Sequence, residues 1–307
     1  VKFKDQALGA ALLLFATQVP AYAADPAVAV ERAWTISAGA IFLNRSSPSG
    51  DAIATQTNGG ASILDGDELD FEFQPGFDLR ASGPLRDGWG LDLRYFDVRD
   101  LTADLSRANA GLINIGGVNV GGAGQIDYES RTDLNSIEMS LTKQIGERWQ
   151  ILGGFRYIGF DDEFNADFSA GGPALLTYTV NTDNDLYGVQ LGATGLLLDH
   201  GRFTVDGYGK VGIYYNDIDR STGFFPPAGA PIFPSALDDD AATFAADIGV
   251  NAGFQITDRV ALRAGYQFLW LSNVAESSNQ GAAFGGNPME KGDTYFHGAT
   301  LGVAATF

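Results

Sequence analysis

Alternation with a period of two recurs along this chain in ten separate stretches, and no other feature limits its fold as strongly. The cleanest stretch covers residues 69–81. Leu69, Phe71, Phe73, Phe77, Leu79 and Ala81 fall on one side, and Asp70, Glu72, Gln74, Asp78 and Arg80 on the other. Successive side chains of a strand point to opposite faces, so the pattern specifies strands with one apolar and one polar side. Pro75 lies in the apolar phase, where it removes one ladder donor and marks a candidate bulge. The final stretch, 295–307, sets Tyr295, His297, Ala299, Leu301, Val303, Ala305 and Phe307 against smaller or polar neighbours. Similar patterns cover 33–44, 89–98, 125–142, 149–160, 184–197, 202–216, 242–255 and 260–271. Within 125–142, Tyr128 and Leu134 fall out of phase with Ile137, Met139 and Leu141, which predicts a bulge near Asn135.

The connections decide between the homes open to such strands. They alternate between long (45–67, 99–124, 161–183, 217–241, 272–293) and short, with four tight turns. A soluble sandwich has no reason to gather every long connection at one end. An outer-membrane barrel has short periplasmic turns, long extracellular loops and an even strand number. The stretches also match the ~9–11 residues that a tilted strand needs to cross a bilayer. Aromatic residues gather at strand ends, among them Trp34, Trp89, Trp149, Phe203, Phe254, Tyr266, Trp270 and Phe307, as interfacial girdles require. The expected fold is all-β: a transmembrane up-and-down antiparallel barrel of about ten strands. The count becomes twelve if a hairpin hides in 111–124 or 170–180. Both termini are then periplasmic and the long loops extracellular.

The N-terminus reads as a signal peptide over residues 1–23, leaving the barrel as residues 24–307. Lys2 and Lys4 precede an apolar core at 7–17, Pro20 breaks it, and Ala21-Tyr22-Ala23 has the form of a cleavage site. No later segment reaches the ~18 apolar residues that a membrane helix needs. Mean hydropathy near zero suits a wall in which alternate residues are apolar. The absence of Cys removes disulfides and thiolate metal sites. A formal charge of −19 argues against a nucleic-acid partner. No cofactor or metal is implied: Asp161-Asp162, Asp217, Asp219 and Asp238 to Asp240 lack the ligand spacing of a strong Ca²⁺ site. Near lipopolysaccharide, such acids share divalent cations with its phosphates or are simply solvated.

The polar phases of the strands supply the candidate functional residues. Glu72, Asp78, Arg80, Asp92, Arg94, Arg156, Lys210, Asp247 and Arg263 are expected to line a lumen, with Asp206, Gln190, Asn251 and Gln267 among their neighbours. The turn at 83–88 suggests crossed pairs, Asp78 facing Arg94 and Arg80 facing Asp92. A charged constriction of this kind selects solutes by size and field. The same residues equally suit a side-chain-filled barrel that uses its loops as an adhesin or is purely structural. A hydrolase is a distant third. His200 falls in a tight turn and His297 in the outward phase, with Asp293 and Asp161-Asp162 the nearest acids by height. The chain is therefore expected not to be an enzyme.

Five motifs, in consistent order, resemble the pore-forming major outer-membrane protein family, a group of porin-like barrels. They are Gly90-Leu-Asp-Leu-Arg-Tyr-Phe96, Gly153-Gly-Phe-Arg-Tyr-Ile158 followed by Glu163, Asn184-Asp-Leu-Tyr-Gly-Val-Gln-Leu-Gly192, Lys210-Val-Gly-Ile213 and Gly265-Tyr-Gln-Phe-Leu-Trp270. The resemblance implies a membrane pore passing small hydrophilic solutes or ions. It also implies that the closing strand, through Tyr295, Leu301, Val303 and Phe307, is presented to the machinery that inserts barrels. It supplies no catalytic residues, and the oligomeric state stays open.

Overall fold

The computed structural model describes residues 33–48, 52–57, 60–108, 111–121, 124–280 and 288–307, so the expected signal peptide lies outside the described residues. The strands, in chain order, are β1 (Thr35–Arg45), β2 (Ala52–Gln56), β3 (Ser62–Asp65), β4 (Gln74–Pro84), β5 (Trp89–Ala108), β6 (Ile113–Ile115), β7 (Val118–Val120), β8 (Gln125–Ile145), β9 (Trp149–Ser169), β10 (Leu176–His200), β11 (Phe203–Phe225), β12 (Ile232–Gln255), β13 (Val260–Val274) and β14 (Gly292–Thr306). Ten of them close into one antiparallel barrel in the order β1-β14-β13-β12-β11-β10-β9-β8-β5-β4. The seam between β1 and β14 is fully paired, from Thr35 opposite Thr306 to Arg45 opposite Phe296. Trp34 and Phe307 extend it by exchanging backbone hydrogen bonds of 3.2 and 2.9 Å. Gly298 is required there, because a Cβ would sit 1.8 Å from the Phe42 carbonyl oxygen.

The lower part of the wall, next to the short turns, follows the sequence pattern. Phe155, Val189, Leu191, Val211, Ile213, Ile248, Val250 and Leu301 are exposed on its outer face. Trp34, Trp89, Trp149, Phe203, Phe254 and Phe307 ring its lower rim. Tyr157, Tyr187 and Tyr215 stand side by side at its upper edge, in register on β9, β10 and β11. An apolar band between two aromatic girdles is the outer surface that suits hydrocarbon.

Above the tyrosines the strands continue, but their two environments exchange. The outer positions become acidic. Asp185, Asp217 and Asp240 form one cross-strand row, and Asp133, Asp161, Asp183, Asp219 and Asp238 form the next. The inner positions gain large apolar side chains, with Leu134, Phe160, Phe164, Ile218 and Phe224 all buried, interspersed with buried Thr132, Asp162, Asn184 and Asn216. Segments 161–183 and 217–241, expected as loops, are therefore mostly strand, with tight turns at 170–175 and 226–231. Alternation persisted in them, but its polar phase pointed to water rather than into a lumen.

The same exchange removes the bulge expected near Asn135. β8 keeps one phase throughout: Tyr128, Ser130, Thr132, Leu134, Ser136, Glu138 and Ser140 are all buried. The irregularity lies across the ladder in β5, between Val98 and Leu101, where Asp100 has φ of 56°. The second predicted strand also starts late. β4 begins at Gln74, after a 3₁₀ turn at Gly66–Glu68, so Leu69 and Phe71 are buried inside while Phe73 stays exposed. Glu72 is exposed in this lead-in and does not line the interior. A hairpin does lie within 111–124, but β6 and β7 join β2 and β3 in a separate sheet of order β3-β2-β6-β7. Buried Ile53, Leu64, Ile113 and Ile115 of that sheet share one apolar cluster with Tyr128, Phe164 and Tyr178 of the barrel. Gly116 approaches so closely that a Cβ would lie 2.5 Å from the Tyr178 hydroxyl. The small sheet thus caps the upper mouth, and the ring keeps ten strands.

Candidate functional site

The barrel interior gathers most of the functional candidates, and it is built in two layers. The lower layer is ionic. Asp78, Arg80, Asp92, Arg94, Arg156, Lys210, Asp247 and Arg263 all lie in it, joined by Asp206 and by Glu138. The two signs balance in number, so the chain's negative excess lies elsewhere. Arg80 meets Asp92 at 2.6 Å, Arg94 meets Asp78 at 2.5 Å and Arg263 meets Asp206 at 2.6 Å. The crossed pairing of the first four is diagonal: Arg80 is directly opposite Arg94, with the acids one step away on the same face. Long side chains reach such diagonal neighbours readily.

Other contacts span the lumen. Lys210 Nζ on β11 lies 2.6 Å from Glu138 Oε2 on β8. Arg156 on β9 donates to Asp247 on β12 at 2.9 Å, and Arg94 on β5 donates to Gln267 on β13 at 2.6 Å. None of these strand pairs are neighbours in the ring. Tyr208 donates to Asp247 at 3.0 Å, and Gln190 donates to Glu138 at 2.9 Å. Charges this deep are tolerable only because each is paired and hydrogen-bonded. A cavity of about 70 Å³ remains on the short-turn side, bordered by Ser37, Asp78, Arg80, Asn251, Arg263 and Thr300. Glu138, which links the β9 and β11 cations, was absent from the sequence-derived set. Its signal is plain in the sequence: it lies between Ile137 and Met139, whose apolar side chains face outward, and so falls in the inward phase.

The upper layer is apolar. Phe160 on β9 and Phe296 on β14 meet at a centroid distance of 5.8 Å, edge to face, from opposite sides of the ring. Ile41, Leu43, Phe96, Leu134, Leu186 and Leu271 fill the space around them and are fully buried. Above this floor the chain leaving β13 turns into the mouth as a short 3₁₀ segment, Ser277–Asn279, flanked by Ala275, Glu276 and Gln280. Arg45, fully buried, holds Asp162 at 2.5 Å and Glu276 at 2.8 Å, with its guanidinium 4.7 Å from the Phe71 ring. Asp162 thus faces inward to an arginine rather than standing as a free acid at a loop base.

The outer acids behave differently. Burial raises the Asp219 carboxyl above its ordinary range, helped by a hydrogen bond and the charge of Asp238. Among the described residues, no group of three or more acidic or histidine side chains is placed to hold a metal ion. His200 ends β10 beside a short turn. His297 faces outward, its Nδ1 2.7 Å from the Tyr266 hydroxyl and its ring edge-on to Phe73. Tyr295, Leu301, Val303 and Phe307 line the exposed outer side of the closing strand.

No curated protein matches the chain by sequence. Among solved structures, the outer membrane protease OmpT of Escherichia coli matches 90% of this chain and 97% of its own at 12% identity, with a TM-score of 0.50. The translocator domain of the autotransporter NalP of Neisseria meningitidis matches 90% and 88% at 12% identity and 0.42. The Pseudomonas putida toluene transporter TodX matches 91% and 89% at 10% identity and 0.37. At such identities the first shares the fold alone, and the lower scores carry no weight. The sequence model of the outer membrane protein beta-barrel domain matches residues 98–307. That span covers β8 to β14 and the second half of β5, about two thirds of the chain, so the chain belongs to the outer membrane beta-barrel protein family and crosses the outer membrane with its strands.

Proposed function

We propose that this protein is a closed outer-membrane barrel that anchors a structured mouth at the cell surface and does not conduct at rest. The observation that carries this reading is the pair of layers meeting across the lumen: Arg156–Asp247 and Lys210–Glu138 below, Phe160–Phe296 above. A hydrated path would have to part both. The short turns then face the periplasm with both termini, and the tall wall of β8 to β12, its cap sheet and its acidic rows face outward among lipopolysaccharide. The closing strand, ending at Phe307, is the segment offered to the barrel-assembly machinery. No nucleic-acid, cofactor or catalytic role is proposed. His297 sits on the outer face, apart from the interior acids, which supports that assignment.

The porin reading rests on the motif resemblance and on the small cavity at the short-turn side. In that reading Asp78, Arg80, Asp92, Arg94, Arg156, Lys210, Asp247 and Arg263 line a constriction for small solutes or ions. Planar-bilayer recording of the folded protein separates the two. The closed barrel predicts a silent membrane, with steps appearing only after Phe160→Ala combined with Arg156→Ala. Steady conductance from the unmodified protein would establish the pore instead.

A further inference from the structure

The turn at the mouth is held as a ligand is held. Residues 275–280 carry no large apolar side chain, yet Ala275, Glu276, Ser277, Ser278 and Gln280 are each 2% exposed or less. Apolar burial accounts for little of that, since only Ala275 joins an apolar cluster, with Ile218, Ala241 and Met289, and hydrogen bonds hold the rest of the turn. The Asn184 side chain donates to the Ala275 carbonyl at 2.8 Å and accepts the Ala275 N–H at 2.8 Å. It thereby pairs with both backbone groups of one residue, as an adjoining strand does. The next two positions are read through their side chains. Arg45 Nη2 donates to the Glu276 carboxylate at 2.8 Å. Asp162 Oδ2 accepts the Ser277 N–H at 2.8 Å and its hydroxyl at 2.7 Å.

These readers have partners independent of the turn. Arg45 keeps Asp162 and Thr132, and Asn184 keeps the Phe160 carbonyl and Asn216. The wall of the site is therefore preorganised, with polar groups converging above the apolar floor of Phe160 and Phe296. That is the composition of a built recognition pocket.

We propose that the barrel mouth is a peptide-binding site, occupied in the resting chain by its own residues 275–280. It takes a short peptide that enters extended and then coils into a 3₁₀ turn, in which a backbone-read residue is followed by an acidic and then a hydroxyl residue. The inference goes beyond the closed-barrel reading and depends on it only for placing the partner outside the cell. A tethered turn competes at an effective concentration on the order of millimolar, so it masks the site against free peptide.

The test replaces residues 275–280 by a Gly/Ser linker of equal length. Binding of a fluorescent Ala-Glu-Ser-Ser-Asn-Gln peptide is then read by polarisation, using protein whose folding is checked by heat-modifiable gel mobility. The linker variant should bind at least about a hundredfold more tightly than the unmodified chain, which carries the competing turn. The peptide with Gln in place of its Glu should bind about tenfold more weakly, having lost a charge-assisted contact. A folded linker variant that ignores the peptide, or takes both peptides equally, overturns the proposal. If the linker variant does not fold, the full-length E276Q/S277A protein serves, since it only loosens the turn. It should bind the Glu peptide more tightly than the unmodified chain, and the absence of any gain overturns the proposal equally. Both readings are independent of conductance, so failure here leaves the closed barrel untouched.

Discussion

The lower and upper halves of the wall are built from the same strands yet obey opposite rules. Below the row of Tyr157, Tyr187 and Tyr215, apolar side chains face out and ionic ones face in. Above it, Asp183 and Asp219 face out while Phe160 and Ile218 face in. Strand geometry does not change at that boundary; the solvent on each side does. Lipid outside requires an apolar outer face and leaves the interior to paired charges. Water outside reverses the requirement, and the upper half packs like the core of a soluble β-protein. The two halves therefore break in different ways.

The largest effect is expected in the ionic layer. Glu138→Ala leaves Lys210 and Arg156 facing a missing carboxylate, and removing one member of a buried charged group typically costs about 3–5 kcal/mol. Guanidinium unfolding in detergent measures it. In the upper layer, Leu134→Ala should cost about 2–5 kcal/mol, through lost apolar contact and a cavity rather than a stranded charge. High salt should leave the Leu134 effect unchanged, since it arises from packing.

The boundary itself can be probed on one strand. Leu191→Arg places a cation in the outer apolar band and should cost about 2–4 kcal/mol. The same substitution at Asp183, farther up β10 and among acids, should be neutral or favourable. Equal costs at both positions would move the boundary.

Much of the lower half was legible in the sequence because its alternation matches its environment strand by strand. Arg80, Asp92, Arg94 and Asp78 could be paired across one turn from spacing alone. The upper half is not legible in the same way, for a physical reason. Period two reports only that two faces differ, not which face meets water. Tyr128 and Leu134 therefore looked like a phase error, and 161–183 and 217–241 like loops. Glu138, by contrast, lies in the unambiguous half of its strand, between outward Ile137 and Met139, and its inward phase is legible from the sequence. The mouth contacts of Arg45, Asp162 and Asn184 join residues far apart in the chain, and no local pattern marks them.

The smallest effect lies in the acidic rows. Like charges directly opposite on neighbouring strands are unfavourable, and Asp219→Asn should raise stability at neutral pH by about 0.2–0.5 kcal/mol, because exposure screens the repulsion. The Asp219 carboxyl is raised in the folded chain, first by burial and then by Asp238. Its contribution is therefore full below the unfolded carboxylate value and lost as pH rises through the folded one. Acidification should narrow the difference between Asp219→Asn and the unmodified protein, as read from melting curves across the carboxylate range.

The inversion is tested most directly by spin labels placed singly at outer positions 191, 189, 187, 185 and 183 of β10 in lipid vesicles. Their accessibility is then compared between lipid-soluble oxygen and a water-soluble relaxation agent. An inverted wall gives oxygen-dominated relaxation at 191 and 189, a crossover at 187, and water-dominated relaxation at 185 and 183. Oxygen-dominated relaxation continuing through 183 would contradict it.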